Sequence, residues 1–373
     1  MRIVPVENRR QQQQFIRLPW SIYADDPAWI PPLLLERRQQ LSPKNPYFDH
    51  ARYCSWLAYS GDRPVGRISA QVDHLYQERY GDATGFFGLL EAEDREELFQ
   101  NLLDTAARWL REQGMHRVLG PFNLSINQEC GLLVSGFHLP PSIMMGHAKP
   151  YYAVRIEEQG YQGVKDLLAY RIGIDFQMSS SMRAVMNRAA KRVQIRKLDR
   201  ANFHRDLRII QDIFEDAWSQ NWGFVPFTEE EFNHLGQLLR FLVYDDFVQI
   251  AEVDGSPAAM IVGFPNFNEI IYDLNGKLLP WGWLKLLYRL KRRPPVTARV
   301  ALMGVRRRYH KSLLGGALAL LVIDAVRTVG LRRGIKEVEL SWILEDNTNT
   351  RSVIEALGGT VYKRYRIYGK EID

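Results

Sequence analysis

Cysteine is scarce in this sequence of 373 residues, which has Cys54 and Cys130 and no others. The two lie far apart and offer neither the paired spacing of a metal site nor the density of a disulfide framework. Disulfide-rich scaffolds belong to oxidising compartments, so their absence favours a reducing cytosol. We therefore expect a cytoplasmic protein without a bound metal.

Long apolar runs are also missing. Residues 1–7 predict a short strand and lack the apolar core of a signal peptide. The longest apolar run, residues 313–326, contains two glycines and Asp324 and is too short to span a bilayer. We therefore do not expect an integral membrane protein.

Apolar side chains are nevertheless abundant, because 46% of the residues are hydrophobic and 12% are aromatic. A chain of this length exceeds the usual size of one domain, so two domains with separate cores are expected. The formal net charge of +6 favours anionic partners. It does not choose among phosphate-bearing cofactors, anionic lipid and nucleic acid.

The pattern of predicted elements occurs twice. Each half follows the order strand, helix, helix, hairpin, strand, helix, strand, helix, strand, which predicts two copies of one mixed α/β unit. The first copy is expected over residues 1–171 and the second over residues 192–373. Residues 172–191 are interpreted as a linker with one basic helical turn. In the second half the expected helices cover residues 206–218, 232–242, 316–328 and 350–357.

A basic loop in the second half is the most informative segment. A predicted strand ends at Val305, a loop with several cationic side chains follows, and Gly315 and Gly316 lead into a helix. The first turn of a helix has unpaired amides and a partial positive charge, which favour a phosphate. The cationic side chains are those of Arg307, Arg308, His310 and Lys311. A solvated basic loop without a ligand is the alternative.

This loop resembles the acyl-CoA loop of the GNAT acyltransferases, whose pattern is Gln/Arg-x-x-Gly-x-Gly/Ala. The matching positions are His310, Leu313 and Gly315, of which the glycine fits. Asn347 lies eleven residues before Gly358, as in the family, and Ile354 stands where the family often has a tyrosine as general acid. Residues 45–51, 120–125, 221–226 and 362–368 resemble a bacterial subfamily of tandem GNAT-like proteins. Some of its relatives are linked to N-acylation of long-chain amino bases in sphingolipid synthesis.

The resemblance implies two tandem GNAT folds of the mixed α/β class and a site for acyl-CoA or acetyl-CoA in the second copy. The cofactor-binding residues that it implies are Met303, Val305, Arg307, Arg308, His310, Lys311, Ser312, Leu313, Leu314, Gly315 and Gly316. In the first copy the matching entry to the helix is acidic, from Glu91 to Glu93, and would repel a diphosphate. We therefore expect that copy to be degenerate for CoA.

The GNAT reaction is the attack of a neutral amine on a thioester, which needs a base and a positioned acceptor. Glu339 and Glu345 are the candidate bases, and Asn347 is a candidate for orienting a substrate. Ordinary solvated acids and a helix-capping asparagine are the alternatives. Residues expected to contact the acceptor are Asn221, Trp222, Phe224, His147 and Tyr152, with structural packing as the alternative for each.

Residues 281–293 predict an amphipathic helix. Lys285, Arg289 and Arg292 form a basic stripe, and the other stripe is apolar: Trp283, Leu284, Leu287 and Leu290. Such a helix suits the surface of an anionic membrane, which would place the protein at the inner membrane as a peripheral contact. A helix that packs on the core with its basic side in solvent is the alternative.

The sequence thus favours an acyl-CoA-dependent N-acyltransferase whose acceptor is a small-molecule or lipid-like amine. A non-catalytic GNAT-like protein that binds acyl-CoA or acts as a scaffold remains the alternative. Nucleic-acid binding is disfavoured, because the sequence contains no recognised nucleic-acid-binding module.

Overall fold

The computed structural model describes residues 1–240 and 244–372. They form two compact units. Unit 1 consists of Met1–Leu168, Ile270–Lys291 and Lys363–Asp373, and unit 2 of Ala169–Glu269 and Arg292–Tyr362. The predicted domains were two contiguous halves, whereas the compact units draw on segments that are distant in sequence.

The strands carry the labels β1 to β15. In chain order they are β1 (Arg2–Pro5), β2 (Ala51–Ser60), β3 (Arg63–Asp73), β4 (Thr84–Ala92), β5 (Arg117–Gly120), β6 (Phe122–Asn123), β7 (Glu129–Cys130), β8 (Leu132–Ser135), β9 (Gln162–Gly173), β10 (Val193–Lys197), β11 (Val248–Val253), β12 (Ser256–Pro265), β13 (Thr297–Val305), β14 (Glu337–Leu344) and β15 (Thr360–Glu371).

The helices carry the labels α1 to α13. They are α1 (Arg9–Arg17), α2 (Pro19–Ile22), α3 (Leu34–Gln40), α4 (His74–Tyr80), α5 (Glu96–Glu112), α6 (Tyr151–Glu157), α7 (Ser180–Ala189), α8 (Phe203–Trp218), α9 (Glu229–Leu239), α10 (Asn268–Ile271), α11 (Gly282–Arg292), α12 (Leu313–Arg332) and α13 (Thr348–Ala356). Short 3₁₀ helices cover Pro46–Asp49, Asp245–Phe247 and Arg307–Tyr309. Residues 241 and 242 of the predicted helix 232–242 lie outside the described residues.

Unit 1 is built on a mixed sheet with the strand order β1-β2-β3-β4-β5-β15, and β8 also pairs with β15. The strands from β1 to β4 are antiparallel neighbours, whereas β4 and β5 run parallel. The predicted apolar stripe of α5 is buried on this unit, through Leu98, Leu102, Ala106 and Leu110.

Unit 2 repeats the arrangement. Its strands follow the order β14-β13-β12-β11-β10, with residues 169–173 at the end of β9 beside β14. The strands from β10 to β13 are antiparallel neighbours, and β13 and β14 run parallel. The predicted fold class of two mixed α/β units is therefore confirmed.

The helix α12 is longer than predicted. It has 20 residues and is long and apolar enough to cross a membrane. Leu318, Val322 and Val329 of this helix are instead buried in the core of unit 2 together with strand residues such as Ala251 and Ile261. Packing inside the unit thus explains part of the apolar composition of α12.

The predicted linker contributes to the same core. Ile172, Ile174 and Met178 are buried in it, and Ser179 caps α7 by accepting a hydrogen bond from the amide of Met182. These residues lacked clear periodicity in the sequence because only a few of them, at irregular spacing, face the core.

Candidate active site

The two parallel strands of unit 2 part from each other. The pairing of β13 with β14 begins at Thr297 and Glu337 and ends at Val300 and Leu340. Both strands continue, β13 to Val305 and β14 to Leu344. The continuing strands therefore leave backbone edges that do not pair with each other, and such edges can bind an extended ligand through its amides.

A cavity of about 720 Å³ lies at this gap, within the size range of small-molecule sites. It is lined by strand, loop and helix residues of unit 2 alone. Residues expected to bind a cofactor or an acceptor are among them: Asn221, Trp222, Met303, Val305, Arg307, His310, Lys311 and Gly315.

Backbone amides are available where the loop enters α12. In the part of the chain that the structure describes, the amides of residues 311–314 donate no hydrogen bond to a protein acceptor. The Leu313 side chain is 72% exposed and does not line the cavity, so it does not wall off these amides. Unpaired amides at a helix N-terminus form an anion site.

Ser312 and the two glycines have separate roles. The Ser312 hydroxyl accepts a hydrogen bond from the Gly315 amide at 3.0 Å and donates one to the Tyr309 carbonyl at 2.6 Å. A Cβ atom at Gly315 would lie 2.1 Å from that carbonyl, so glycine there is needed for close packing of the loop. A Cβ at Gly316 would meet nothing within 4 Å. Gly315 therefore shapes the loop.

The cationic side chains of the loop differ in their surroundings. The Arg307 amide donates to Asp216 at 2.7 Å, and its guanidinium lies 3.4 Å from the same carboxylate. The Arg308 guanidinium lies over the Tyr309 ring, 4.9 Å from its centroid, and does not line the cavity. Lys311 has a φ of 57° and, among the described residues, no ion-pair partner. A left-handed backbone at a lysine is uncommon and often marks a functional loop.

Two side chains form hydrogen bonds with backbone carbonyls on the open edge of β13. The Trp218 indole donates to the Met303 carbonyl at 3.0 Å, and His310 Nε2 lies 2.8 Å from the Val305 carbonyl. A carbonyl only accepts, so Nε2 carries the proton there. Trp218 was not predicted, because a tryptophan at the end of an amphipathic helix looks like any core residue.

Glu339 belongs to a buried polar network and does not line the cavity. Its carboxylate accepts hydrogen bonds from Ser341 and Tyr362. The Arg299 guanidinium lies 3.8 Å from it and donates to the Ser341 hydroxyl at 2.8 Å. Ser341 does line the cavity, which makes it the link between this network and any ligand.

The other candidates lie at the end of β14. Glu345 does not line the cavity, whereas the neighbouring Asp346 does. The Asn347 side chain accepts from the Thr350 amide at 3.2 Å and caps α13, and Asn347 also lines the cavity. Ile354 lies at the position of the family tyrosine and contributes an apolar wall.

The expected acceptor residues are divided between the units. Asn221 and Trp222 line the cavity, but Phe224 is buried and packs on Phe214, with ring centroids 5.5 Å apart. His147 and Tyr152 belong to unit 1 and are not among the cavity-lining residues.

Unit 1 contains a buried cluster of polar side chains around Glu91, near the end of β4. Its carboxylate accepts from Tyr152 at 2.7 Å and from Tyr23 at 2.8 Å, and Arg67 lies 3.8 Å away. Burial raises the pKa of Glu91, against the opposing effect of Arg67 and the two hydroxyls. Burial has the opposite effect on His147, because it disfavours the charged imidazolium and so lowers the pKa of this side chain. His147 Nε2 lies 3.0 Å from Asp26 Oδ2.

The parallel strands of unit 1 also part, but their gap is filled. The pairing of β4 with β5 ends at Phe86 and Leu119, although β4 continues to Ala92. The Asn123 side chain then accepts from the Leu89 amide at 2.8 Å. A Cβ atom at Gly88 would lie 1.7 Å from the Phe122 carbonyl. The chain itself thus occupies the space that is a cavity in unit 2.

Among the described residues, no group of three or more His, Cys, Asp or Glu side chains could hold a metal ion. The expected absence of a metal stays a prediction.

The Arg299–Glu339 pair predicts a clear stability effect. Both residues are nearly inaccessible, so Arg299→Met should leave Glu339 as an uncompensated buried charge. We expect the free energy of unfolding to fall by about 3–5 kcal/mol in chemical denaturation. The double variant Arg299→Met/Glu339→Leu should recover most of this loss. If the double variant is as unstable as the sum of the two single variants, the pair is not coupled.

Comparison with known proteins identifies the family. No protein-family model matches the chain. It is 48% identical over 366 residues to "Protein YghO" of Escherichia coli (strain K12), covering 98% of this chain and 94% of that protein. It is 42% identical over 377 residues to "Bacterial ceramide synthase" of Caulobacter vibrioides, covering 99% of this chain and 97% of that protein.

Solved structures show the same fold. A tandem GNAT protein from the clavulanic acid biosynthesis pathway superposes with a TM-score of 0.58 at 15% identity, covering 100% of this chain and 98% of that one. A GCN5-related N-acetyltransferase from Sphaerobacter thermophilus superposes with a TM-score of 0.54 at 14% identity, covering 99% and 96%. The predicted tandem GNAT fold is confirmed. The chain therefore has the tandem GNAT fold and belongs to the family that includes the E. coli protein YghO and the bacterial ceramide synthase of C. vibrioides.

Proposed function

We propose that unit 2 binds an acyl-CoA and that the protein transfers its acyl group to the amine of a long-chain base. One observation carries this proposal: unpaired amides at the entry to α12 lie beside a cavity that opens between two parting strands. A diphosphate suits the amides, and an extended chain with amide groups suits the open edge of a strand.

The acceptor class is supported by the relative named bacterial ceramide synthase, which is 42% identical over nearly the full length of both chains. The lining of the cavity is consistent with a lipid-like substrate, because most of its residues are apolar. Asn221 and Trp222, at the end of the cavity formed by the loop after α8, are the proposed contacts of the amine.

The reaction joins the amine nitrogen to the thioester carbon and breaks the carbon–sulfur bond. The amine must first lose a proton from its ammonium form, and the thiolate finally gains one. We assign the base to Asp346, which lines the cavity, rather than to Glu339, whose carboxylate is buried in its own network. Glu345 stays a second candidate, and Asn347 is proposed to orient the substrate.

Unit 1 is proposed to have no CoA site. The Leu89 amide already donates a hydrogen bond to the Asn123 side chain. The first turn of α5 is acidic, with Glu96 and Glu97. Both features oppose a diphosphate and a pantetheine chain. A non-catalytic binding protein is the second candidate function, and Ile354 at the position of the family tyrosine favours it.

Removal of positive charge from the loop tests the CoA site. The triple variant Arg307→Gln/Arg308→Gln/Lys311→Gln should bind CoA at least about tenfold more weakly in calorimetry, because charge-assisted contacts to the diphosphate are lost. The affinity of the wild-type protein should also fall as salt is added.

A matched control removes the same charge elsewhere in unit 2. Arg183, Arg188 and Lys191 are exposed on or just after α7, and none lines the cavity. Their replacement by glutamine should change the CoA affinity less than about twofold. Equal losses in both triple variants would exclude a specific diphosphate site.

Turnover separates the enzyme from the binding protein. With a fatty acyl-CoA and a sphinganine-like base, the wild-type protein should release CoA and form the amide. Asp346→Asn should lower kcat by about 10²-fold or more without loss of CoA affinity, because a general base acts in the transition state. CoA that is bound but never consumed, across a panel of amines, would support the second candidate.

We further propose that the protein is cytoplasmic and contacts the inner membrane through α11. Every described residue of this helix is exposed or half-buried, and Trp281 just before it is 73% exposed. Lys285 and Arg289 of its basic stripe pair with Asp273, which belongs to the same segment of unit 1. An apolar face of this kind with a basic side suits an anionic lipid surface.

The double variant Trp281→Ser/Leu287→Ser tests this contact. Its binding to vesicles with anionic lipid should weaken at least about tenfold in a sedimentation assay, because the apolar side chains that enter the interface are gone. Leu35→Ser/Val154→Ser removes two other exposed apolar side chains of unit 1 and should bind as the wild type does. Unchanged binding of the α11 variant would exclude the helix as the contact.

A further inference from the structure

The backbone carbonyls on the open edge of β13 already have hydrogen-bond partners. The pairing of β13 with β12 fixes which residues face the gap, because residues of antiparallel strands alternate between bonded and non-bonded pairs. The Arg306 amide donates to the Ala258 carbonyl at 2.9 Å, so Met303 and Val305 direct their amides and carbonyls away from β12 and toward the gap. Both of these carbonyls accept a hydrogen bond from a side chain.

One of the two side chains, that of Trp218, contacts both parted strands. Its indole nitrogen donates to the Met303 carbonyl of β13 at 3.0 Å. Its ring lies at an angle to the ring of Trp342 on β14, with the centroids 5.9 Å apart. Trp218 and Trp342 both line the cavity. An extended ligand that pairs with β13 at Met303 therefore has to displace the Trp218 indole.

The side chain of Trp218, rather than the helix that carries it, is the part that can move. The helix α8 packs closely on β13, since a Cβ atom at Gly304 would lie 3.1 Å from the Ala217 Cβ atom. Trp218 itself is the last residue of α8 and is half-buried. Because the indole lines the cavity, it has open space on one side. A half-buried side chain at a helix end moves at a lower cost than one in the core.

The arm of CoA between the diphosphate and the thioester has the chemistry to take the place of the indole. The arm contains amide groups, and each of them carries one N–H donor and one carbonyl acceptor. Such an N–H can give the Met303 carbonyl the hydrogen bond that Trp218 now supplies. The carbonyl then stays paired in both states, as a buried carbonyl requires.

We propose that Trp218 is a gate, which stands across the gap in the unliganded protein and leaves the Met303 carbonyl to the arm when CoA binds. This inference rests on the proposed CoA site and adds the regulation of that site. The closed gate lowers the apparent affinity for CoA, because only molecules with an open gap bind it. The gap in which the thioester and the amine meet is thus cleared only with CoA in place.

Calorimetry on the full chain, without any amine, tests the gate. Trp218→Phe keeps an aromatic ring but removes the indole N–H, so the closed state loses its hydrogen bond. We expect this variant to bind CoA about two- to tenfold more tightly than the wild type. Its affinity for ADP should not change, because ADP carries the diphosphate without the arm. A merely structural role of Trp218 would instead weaken the binding of both ligands or leave both unchanged.

Trp109→Phe is the matched control. Trp109 is also half-buried and lies near the end of a helix, but this helix is α5 of unit 1. The control should bind CoA and ADP as the wild type does, and thermal unfolding of each variant checks that it is folded. A gain of CoA affinity in Trp109→Phe equal to that in Trp218→Phe would overturn the gate.

Magnetic resonance of isotope-labelled indole nitrogens observes the gate directly. The signal that is missing in Trp218→Phe identifies the Trp218 indole among the nine tryptophans. Saturating CoA should move this N–H signal upfield, because the hydrogen bond to the Met303 carbonyl is lost, whereas saturating ADP should leave it in place.

The outcomes separate the gate from the site on which it acts. A Trp218 signal that does not move upfield with CoA bound would overturn the gate while leaving the CoA site intact. Trp218→Phe that binds CoA no more tightly than the wild type would do the same. No affinity of the wild type for CoA would instead overturn the proposed function.

Discussion

The parting of β13 and β14 is the constraint on which the rest of unit 2 depends. Parallel strands pair along their length when nothing intervenes, because unpaired backbone groups inside a protein are costly. Here the pairing stops at Val300 and Leu340, and the freed edge of β13 is bonded in part by Trp218 and His310. The gap opens into the cavity, which residues of the basic loop also line.

The parallel strands part in both units, but the gap between them is filled in unit 1 and open in unit 2. In unit 1 the parted strands enclose Phe122 and Asn123 of their own chain, and Glu91 is held by buried tyrosines. In unit 2 no side chain of the described residues caps the amides of residues 311–314. A duplicated fold can thus retain a ligand site in one copy and a closed polar core in the other, since the fold alone does not determine what fills the gap.

Part of this could be predicted from the sequence. The two mixed α/β units and the basic loop follow from local patterns: alternating strands, a helical stripe, and cationic residues before Gly315 and Gly316. That segments 270–291 and 363–373 belong to unit 1 could not be predicted, because this depends on contacts between distant residues. For the same reason Trp218 and Ser341 were not predicted to lie at the site. Phe224 was expected in the acceptor pocket but packs on Phe214, since an aromatic side chain fits a core equally well.

Hydrogen–deuterium exchange of the loop tests the central claim most directly. The account predicts that saturating acyl-CoA slows exchange at the amides of residues 311–314, because they become donors to the diphosphate. Exchange in the matching entry to α5 should not change, since unit 1 is not expected to bind the ligand. Unaltered exchange at residues 311–314 with acyl-CoA demonstrably bound would contradict the account, because the ligand would then be held elsewhere.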